Sequence, residues 1–192
     1  MRKKLLFWLI LIIILFGSGL YFIFSDSYPV VLVNYRIISA RDFEKDYTVA
    51  IHYYQSLFKA YAEDPTELNS KEIKLEIRQV TLDKLIENQL IHKKLKELIG
   101  ANDLQNMVDN KIKEIIKKSS NIQKGVELVY GLSLADFKER ILIPQAEREI
   151  LEGQLFFNGE KIDEWLKEIK SVAKVIVLIP GFAWDGEKIT IK

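Results

Sequence analysis

The chain has 192 residues, with 28 Lys and Arg, 27 Asp and Glu, two His and no Cys. This length predicts one domain with at most a small addition. The formal net charge of +1 leaves no long-range attraction for a polyanion, which argues against nucleic-acid binding. The absence of Cys excludes a disulfide framework, a thiol nucleophile and a Cys-ligated metal.

An uncharged apolar run occupies residues 5–24. Twenty such residues suffice to cross a bilayer as one helix. Arg2, Lys3 and Lys4 precede the run, and the positive-inside rule therefore places the N-terminus in the cytoplasm. We expect a cytoplasmic tip at residues 1–4, a single-pass cell-membrane anchor at 5–24 and an extracytoplasmic domain at 25–192.

A cleaved signal peptide is the alternative interpretation of the same run. Gly17, Ser18 and Gly19 offer a small-residue cleavage site after an apolar segment. Residues 20–24 remain apolar beyond that site and are rich in aromatics, which favours a retained signal anchor. A lipoprotein is excluded because acylation requires a Cys.

A short strand and an aromatic helix open the predicted extracytoplasmic domain. Residues 30–33 and the five that follow predict one short strand. Ser39 is then a candidate N-cap, with Asp42 three residues later. Apolar residues at three- and four-residue intervals predict a helix that ends near Asp64-Pro65. Its predicted face consists of Phe43, Tyr47, Ala50, Ile51, Tyr54, Phe58 and Tyr61.

Two further helices follow. Asn69 with Glu72 is a candidate capping box for a helix of about thirty residues that ends at Gly100. A helix of that length must pack against more than one neighbour. Asn102 with Gln105 repeats the capping pattern for a third helix, which ends at Lys117-Lys118.

The next segment predicts shorter helices. A short piece at residues 126–130 precedes a helix capped by Ser133 and Asp136. Pro144 lies inside that helix and predicts a kink between residues 140 and 144. After the Asn158-Gly159 turn, residues 162–169 predict one more amphipathic helix.

In the C-terminal residues the spacing of apolar side chains changes from helical to strand-like. Residues 174–179 predict a strand, and a small hairpin is expected around Asp185-Gly186. Because an isolated strand is unstable, residues 30–33 are expected to pair with 175–178. The predicted fold is mainly α, with a multi-helix domain whose two ends are joined by a small sheet.

The chain lacks the usual enzyme signatures. No glycine-rich phosphate loop, G-x-S-x-G elbow or H-E-x-x-H pair occurs. His52 and His92 are expected to be surface or boundary residues. The acidic clusters at residues 42–46 and 147–152 alternate with basic residues and predict solvated ion pairs rather than a catalytic or cation site. We therefore expect no enzyme activity, cofactor or metal.

The remaining unusual feature is a surplus of aromatic residues. Aromatics at helical spacing usually belong to a core. Tyr53 lies off the predicted stripe of its helix, and residues of this kind can instead line a groove for apolar polypeptide segments. The candidate polypeptide-binding residues are Tyr47, Tyr53, Tyr54, Phe58, Tyr61, Phe156, Phe157 and Trp165.

Four segments in order resemble the SurA-type N-terminal chaperone domain, as found in SurA-like and PrsA-like proteins. Residues 31–43 are similar to its opening "V-N-G-x-x-I-x-x-x-x-F", with Tyr35 in place of the usual glycine. Residues 82–91 resemble its "L-x-x-L-I-x-x-x-L-I" helix. Residues 130–138 and 143–148 resemble its "G-x-S-x-x-x-F" and "I-x-P-Q-x-x-R" segments.

The resemblance implies binding of unfolded or partly folded exported polypeptides. Family members often carry an inserted parvulin prolyl-isomerase domain with a His-Ile-Leu strand and a Gly-Gly-Asp-Leu-Gly stretch, and neither occurs here. The resemblance therefore implies a chaperone without isomerase activity. The alternative is a structural adaptor that recognises one envelope protein, because fold alone does not determine function.

Overall fold

A computed structural model describes residues 27–61, 64–118 and 121–192, which form a mainly helical fold with two small sheets. The elements in chain order are β1 (Pro29–Val33), β2 (Arg36–Ser39), α1 (Ala40–Ala60), a 3₁₀-helix (Pro65–Asn69), α2 (Lys71–Ile99), α3 (Ala101–Lys118), α4 (Ile122–Tyr130), α5 (Leu134–Phe137), a π-helical segment (Lys138–Leu142), α6 (Ile143–Phe157), α7 (Ile162–Val172), β3 (Val175–Val177), β4 (Phe182–Trp184) and β5 (Ile189–Ile191).

The two ends of the described chain meet in one sheet. Its strand order is β2-β1-β3, and β1 pairs antiparallel with β3, with Leu32 opposite Ile176. The second sheet is the β4–β5 hairpin, in which Ala183 lies opposite Thr190. The predicted pairing of the terminal strands and the predicted C-terminal hairpin are both confirmed.

The prediction of a single strand at the start of the domain is wrong, because β1 and β2 form a hairpin. Its two turn residues, Asn34 and Tyr35, both have positive φ angles, 47° and 68°. A two-residue turn of this type matches the twist of the paired strands. Tyrosine rarely adopts this conformation. The turn has Tyr35 where the usual Asn-Gly signal has glycine, and the sequence therefore did not predict a hairpin here.

Side-chain caps fix the starts of the two longest helices. Ser39 Oγ accepts from the backbone N–H of Asp42, as predicted. The cap of α2 is Ser70, whose Oγ accepts from Ile73 N–H at 3.2 Å, so the prediction of Asn69 is wrong by one residue. The predicted cap at Asn102 is also wrong, because α3 already begins at Ala101, directly after Gly100.

The helix interrupted by Pro144 departs from α-helical geometry where a kink was predicted. Pro144 has no N–H, so it cannot bond the carbonyl of Arg140 in an α-helical ladder. The preceding turn is π-helical, and Ile143 N–H donates to the carbonyl of Lys138 instead. The π-helical segment therefore accommodates Pro144 within the helix and connects α5 to α6.

Two hydrophobic clusters form the core, and α2 contributes to both. The proximal cluster lies under the terminal sheet and includes Leu82 and Ile86 of α2. The distal cluster lies among α3, α4, α6 and α7 and includes Ile91 and Leu95. The expectation that so long a helix packs against several neighbours is confirmed.

The predicted membrane span, residues 5–24, lies outside the described residues. Within residues 27–61, 64–118 and 121–192, no helix combines the length and apolar character needed to cross a bilayer.

Candidate functional site

A groove lies where α1 and α2 face one another. One wall is formed by α1 and the other by α2, whose lining residues recur at helical spacing. Tyr130, at the end of α4, and the π-helical segment complete the lining around a cavity of about 260 Å³. The lining residues are Asp46, Val49, Ala50, Tyr53, Tyr54, Ile77, Val80, Thr81, Lys84, Tyr130, Arg140 and Ile141.

Aromatic contacts connect the α1 wall of the groove to Tyr130. The ring of Tyr53 stacks on Tyr130, with centroids 5.4 Å apart, and meets Tyr54 edge-on at 5.7 Å. Burial raises the pKa of Tyr130, and the nearby Tyr53 adds to that rise. Both effects favour the neutral phenol of Tyr130.

The α2 wall is formed by Ile77, Val80, Thr81 and Lys84 and is partly open to solvent. Val80 is 59% exposed although it lines the groove. The neighbouring Thr81 is buried, and its hydroxyl donates to the carbonyl of Ile77 at 2.7 Å. Because this hydroxyl is already bonded within the helix, the wall offers apolar contact to a ligand except at Lys84.

An ion pair closes one end of the groove. Arg140 Nη1 lies 2.6 Å from Asp46 Oδ1, and Asp42 lies 3.8 Å from the same guanidinium. Burial raises the pKa of Asp46 more than the hydrogen bond and charge of Arg140 lower it. The pair joins α1 to the π-helical segment and gives the groove one polar end.

Only two of the eight candidate aromatics line this groove, namely Tyr53 and Tyr54. Tyr47 instead belongs to a stack with Phe43, where the guanidinium carbon of Arg78 lies 4.9 Å from each ring centroid. The remaining candidates, Phe58, Tyr61, Phe156, Phe157 and Trp165, lie outside the groove lining.

Those five residues have different environments. Phe58 is half-buried, and Trp165 packs against the distal cluster. Tyr61 is the C-cap residue that follows α1, and its side chain is exposed. Phe156 and Phe157 are exposed at the end of α6, with ring centroids 6.4 Å apart. A polypeptide-binding role for any of the eight residues stays a prediction.

The two histidines occupy half-buried boundary positions, as expected. His52 Nδ1 lies 3.3 Å from the carbonyl of Val129. His92 Nδ1 lies 2.7 Å from the carboxylate of Glu147. Glu147 is buried rather than solvated, which corrects the expectation for that member of the acidic cluster. Among the described residues, no group of three or more His, Asp or Glu side chains is placed to hold a metal.

Comparison with known proteins gives a match to the family described as SurA-like N-terminal domain, over residues 1–124. The chain belongs to this family. SurA-like N-terminal domains are a chaperone-like family associated with polypeptide substrates. No curated protein and no solved structure matches the chain.

The SurA-like match includes the α1 and α2 walls of the groove but not all of its lining residues. Residues 31–43 and 82–91, which carry half of the sequence resemblance, lie within the match. Tyr130 and Arg140 lie beyond residue 124 and reach the groove only through the fold.

The sequence analysis did not identify several lining residues of the groove. The apolar spacing of α2 predicts that Val80 shares a buried stripe with Ile73 and Ile77, and this prediction is wrong because Val80 is 59% exposed and lines the groove. Arg140 carried no signal, since its partner Asp46 is 94 residues away in sequence.

Proposed function

We propose that this chain is a membrane-tethered, extracytoplasmic chaperone-like protein that holds unfolded or partly folded exported polypeptides. The observation that carries the proposal is the aromatic and aliphatic groove between α1 and α2, in a chain of the SurA-like N-terminal domain family. Apolar side chains of a client would enter this groove and leave water.

The size of the groove favours short apolar segments. A cavity of about 260 Å³ lies just below the roughly 300–1,000 Å³ of typical small-molecule sites. It therefore suits a few client side chains at a time. Contacts on a partly exposed wall contribute modestly, which favours reversible capture over a permanent complex.

We propose no covalent chemistry for this protein. The proposed mechanism is binding alone, without ATP, metal, cofactor or prolyl isomerisation. The support is the missing enzyme signatures and the missing isomerase motifs of the sequence.

The tether is also part of the proposal. Residues 5–24 would cross the cell membrane once, with the N-terminus in the cytoplasm and residue 25 onward outside. The support is the uncharged run and the three basic residues before it. Clients would then be held close to the membrane from which they emerge.

The test uses the full chain in lipid nanodiscs and several unrelated, chemically unfolded proteins. Light scattering reports their aggregation after dilution, and the chain should delay it for each client. A proline-containing peptide assay run in parallel should show no acceleration of cis/trans isomerisation. Binding to one native envelope protein without any effect on unfolded clients would support the adaptor function instead.

Two exposed valines provide a matched pair of variants. Val80→Glu places a charge on the groove wall, whereas Val172→Glu places one on the last residue of α7, outside the groove; the two valines are 59% and 70% exposed. We expect V80E to weaken client binding about tenfold or more, or ~1.4 kcal/mol. V172E should bind as the parent does.

Two aromatic variants compare the groove with the exposed end of α6. Tyr53→Glu should weaken holding because the ring lines the groove. Phe157→Glu should weaken it only if the exposed Phe156-Phe157 pair also contacts clients. Loss of the folded state in Y53E, measured by circular dichroism, would assign that ring to the core instead.

A further inference from the structure

The outer face of the terminal sheet carries an exposed apolar row. Leu32 of β1 lies directly opposite Ile37 of β2 and Ile176 of β3, so the three side chains project from the same face. Ile37 and Ile176 are 56% and 55% exposed. The alternate residues, including Val31, are buried against the proximal cluster. The sheet is therefore apolar on both faces, although only one is covered by the described core.

An aromatic and a cation lie at the tip of this sheet. Tyr35 is exposed at the β1–β2 turn, whereas Arg36 is paired with the buried Val33 and belongs to the other face of the sheet. The Lys174 ammonium lies 3.3 Å from the Tyr35 hydroxyl and 5.7 Å from its ring centroid. Tyrosine and basic side chains beside an apolar surface are typical of the boundary between lipid headgroups and acyl chains.

The length of the connecting chain brings this face close to the proposed anchor. The apolar run ends at Phe24, and β1 begins at Pro29. Five fully extended residues span at most about 17 Å. If residues 5–24 cross the bilayer, β1 starts within that distance of the end of the span. The membrane surface would then lie within reach of the uncovered row.

We propose that the outer face of the terminal sheet lies against the extracytoplasmic surface of the bilayer. The Ile37–Leu32–Ile176 row would meet the acyl boundary, and Lys174 would meet anionic headgroups. This contact rests on the tether of the proposed function. It would restrict how the domain, and the groove on it, is oriented relative to the membrane.

The cysteine-free chain permits a direct test with single-cysteine probes. Ile37→Cys and Ile176→Cys place an environment-sensitive fluorophore on the outer face. Leu128→Cys is the control, an exposed residue of α4. Its carbonyl accepts from the hydroxyl of Ser56, which lies about 24 Å along α1 from Ala40.

Each labelled full-length variant is placed in nanodiscs of equal parts phosphatidylcholine and phosphatidylglycerol, with and without lipids that carry a nitroxide quencher near the headgroup. The probes at positions 37 and 176 should lose emission to the quencher, and the probe at 128 should not. Lys174→Gln should reduce that loss more in these nanodiscs than in phosphatidylcholine alone, whereas Arg36→Gln, on the other face of the sheet, should not.

The outcomes separate this inference from the tether. A chain that stays with the nanodisc while the probes at 37 and 176 remain unquenched overturns the lipid contact and leaves the tether intact. Energy transfer between probes on two copies, without lipid quenching, also overturns it and assigns the face to self-association. A chain that does not remain with nanodiscs overturns both the tether and the contact.

Discussion

Replacing Ile189 with Ala should destabilise the domain because this side chain closes the proximal core. Ile189 is fully buried in β5. Its N–H donates to Asp83 Oδ1 at 2.7 Å, and its carbonyl accepts from Gln79 Nε2 at 2.6 Å, which fixes the strand to α2. The substitution removes three carbons from a packed site and leaves the backbone bonds in place. Core changes of this size cost about 2–5 kcal/mol.

The assay is thermal and urea unfolding of the fragment 25–192. This fragment is expected to fold alone because both core clusters lie between residues 30 and 189. A loss of about 3 kcal/mol would lower Tm by roughly 6–12 °C for a domain of this size. Ile191→Ala is the matched control on the same strand, since Ile191 is 42% exposed. Equal effects of the two variants would refute the closing role of β5.

Three further predictions concern a cap, a titration and the topology. Ser70→Ala should cost about 1 kcal/mol by urea unfolding, whereas Asn69→Ala should change stability little, because Ser70 caps α2. Burial raises the pKa of Asp83, so between 3.8 and the higher folded value the native state binds more protons than the unfolded state. The parent should therefore lose stability relative to Asp83→Asn as pH rises through that window, and parallel pH profiles from urea unfolding would contradict this. Protease added to intact spheroplasts should digest the part beyond residue 25; full protection, or a mature N-terminus near Leu20, would overturn the proposed topology.

Local signals predicted most of the fold. Helical periodicity and the caps at Ser39 and Ser133 have local causes, and both caps are present in the structure. The β1–β2 hairpin was missed because Asn34-Tyr35 forms a turn that ordinarily contains glycine. The sheet between the chain ends could be predicted because neither terminal strand is stable alone.

The groove could be predicted only in part. Tyr53 was recognisable as an aromatic beside the helical stripe. The opposing wall and the polar end depend on tertiary packing, which brings Val80, Tyr130 and Arg140 together from separate segments. No local pattern in the sequence determines which of the remaining aromatics turn away from this groove.

Photo-crosslinking in cells shows directly whether the groove captures unfolded polypeptides. A photoreactive residue at position 80 reports what enters the groove, and one at position 172 provides the matched exposed control outside it. We expect position 80 to capture many distinct exported polypeptides and position 172 to capture few. Capture of one native envelope protein as the sole product at position 80, or equal capture at both positions, would contradict a chaperone-like groove.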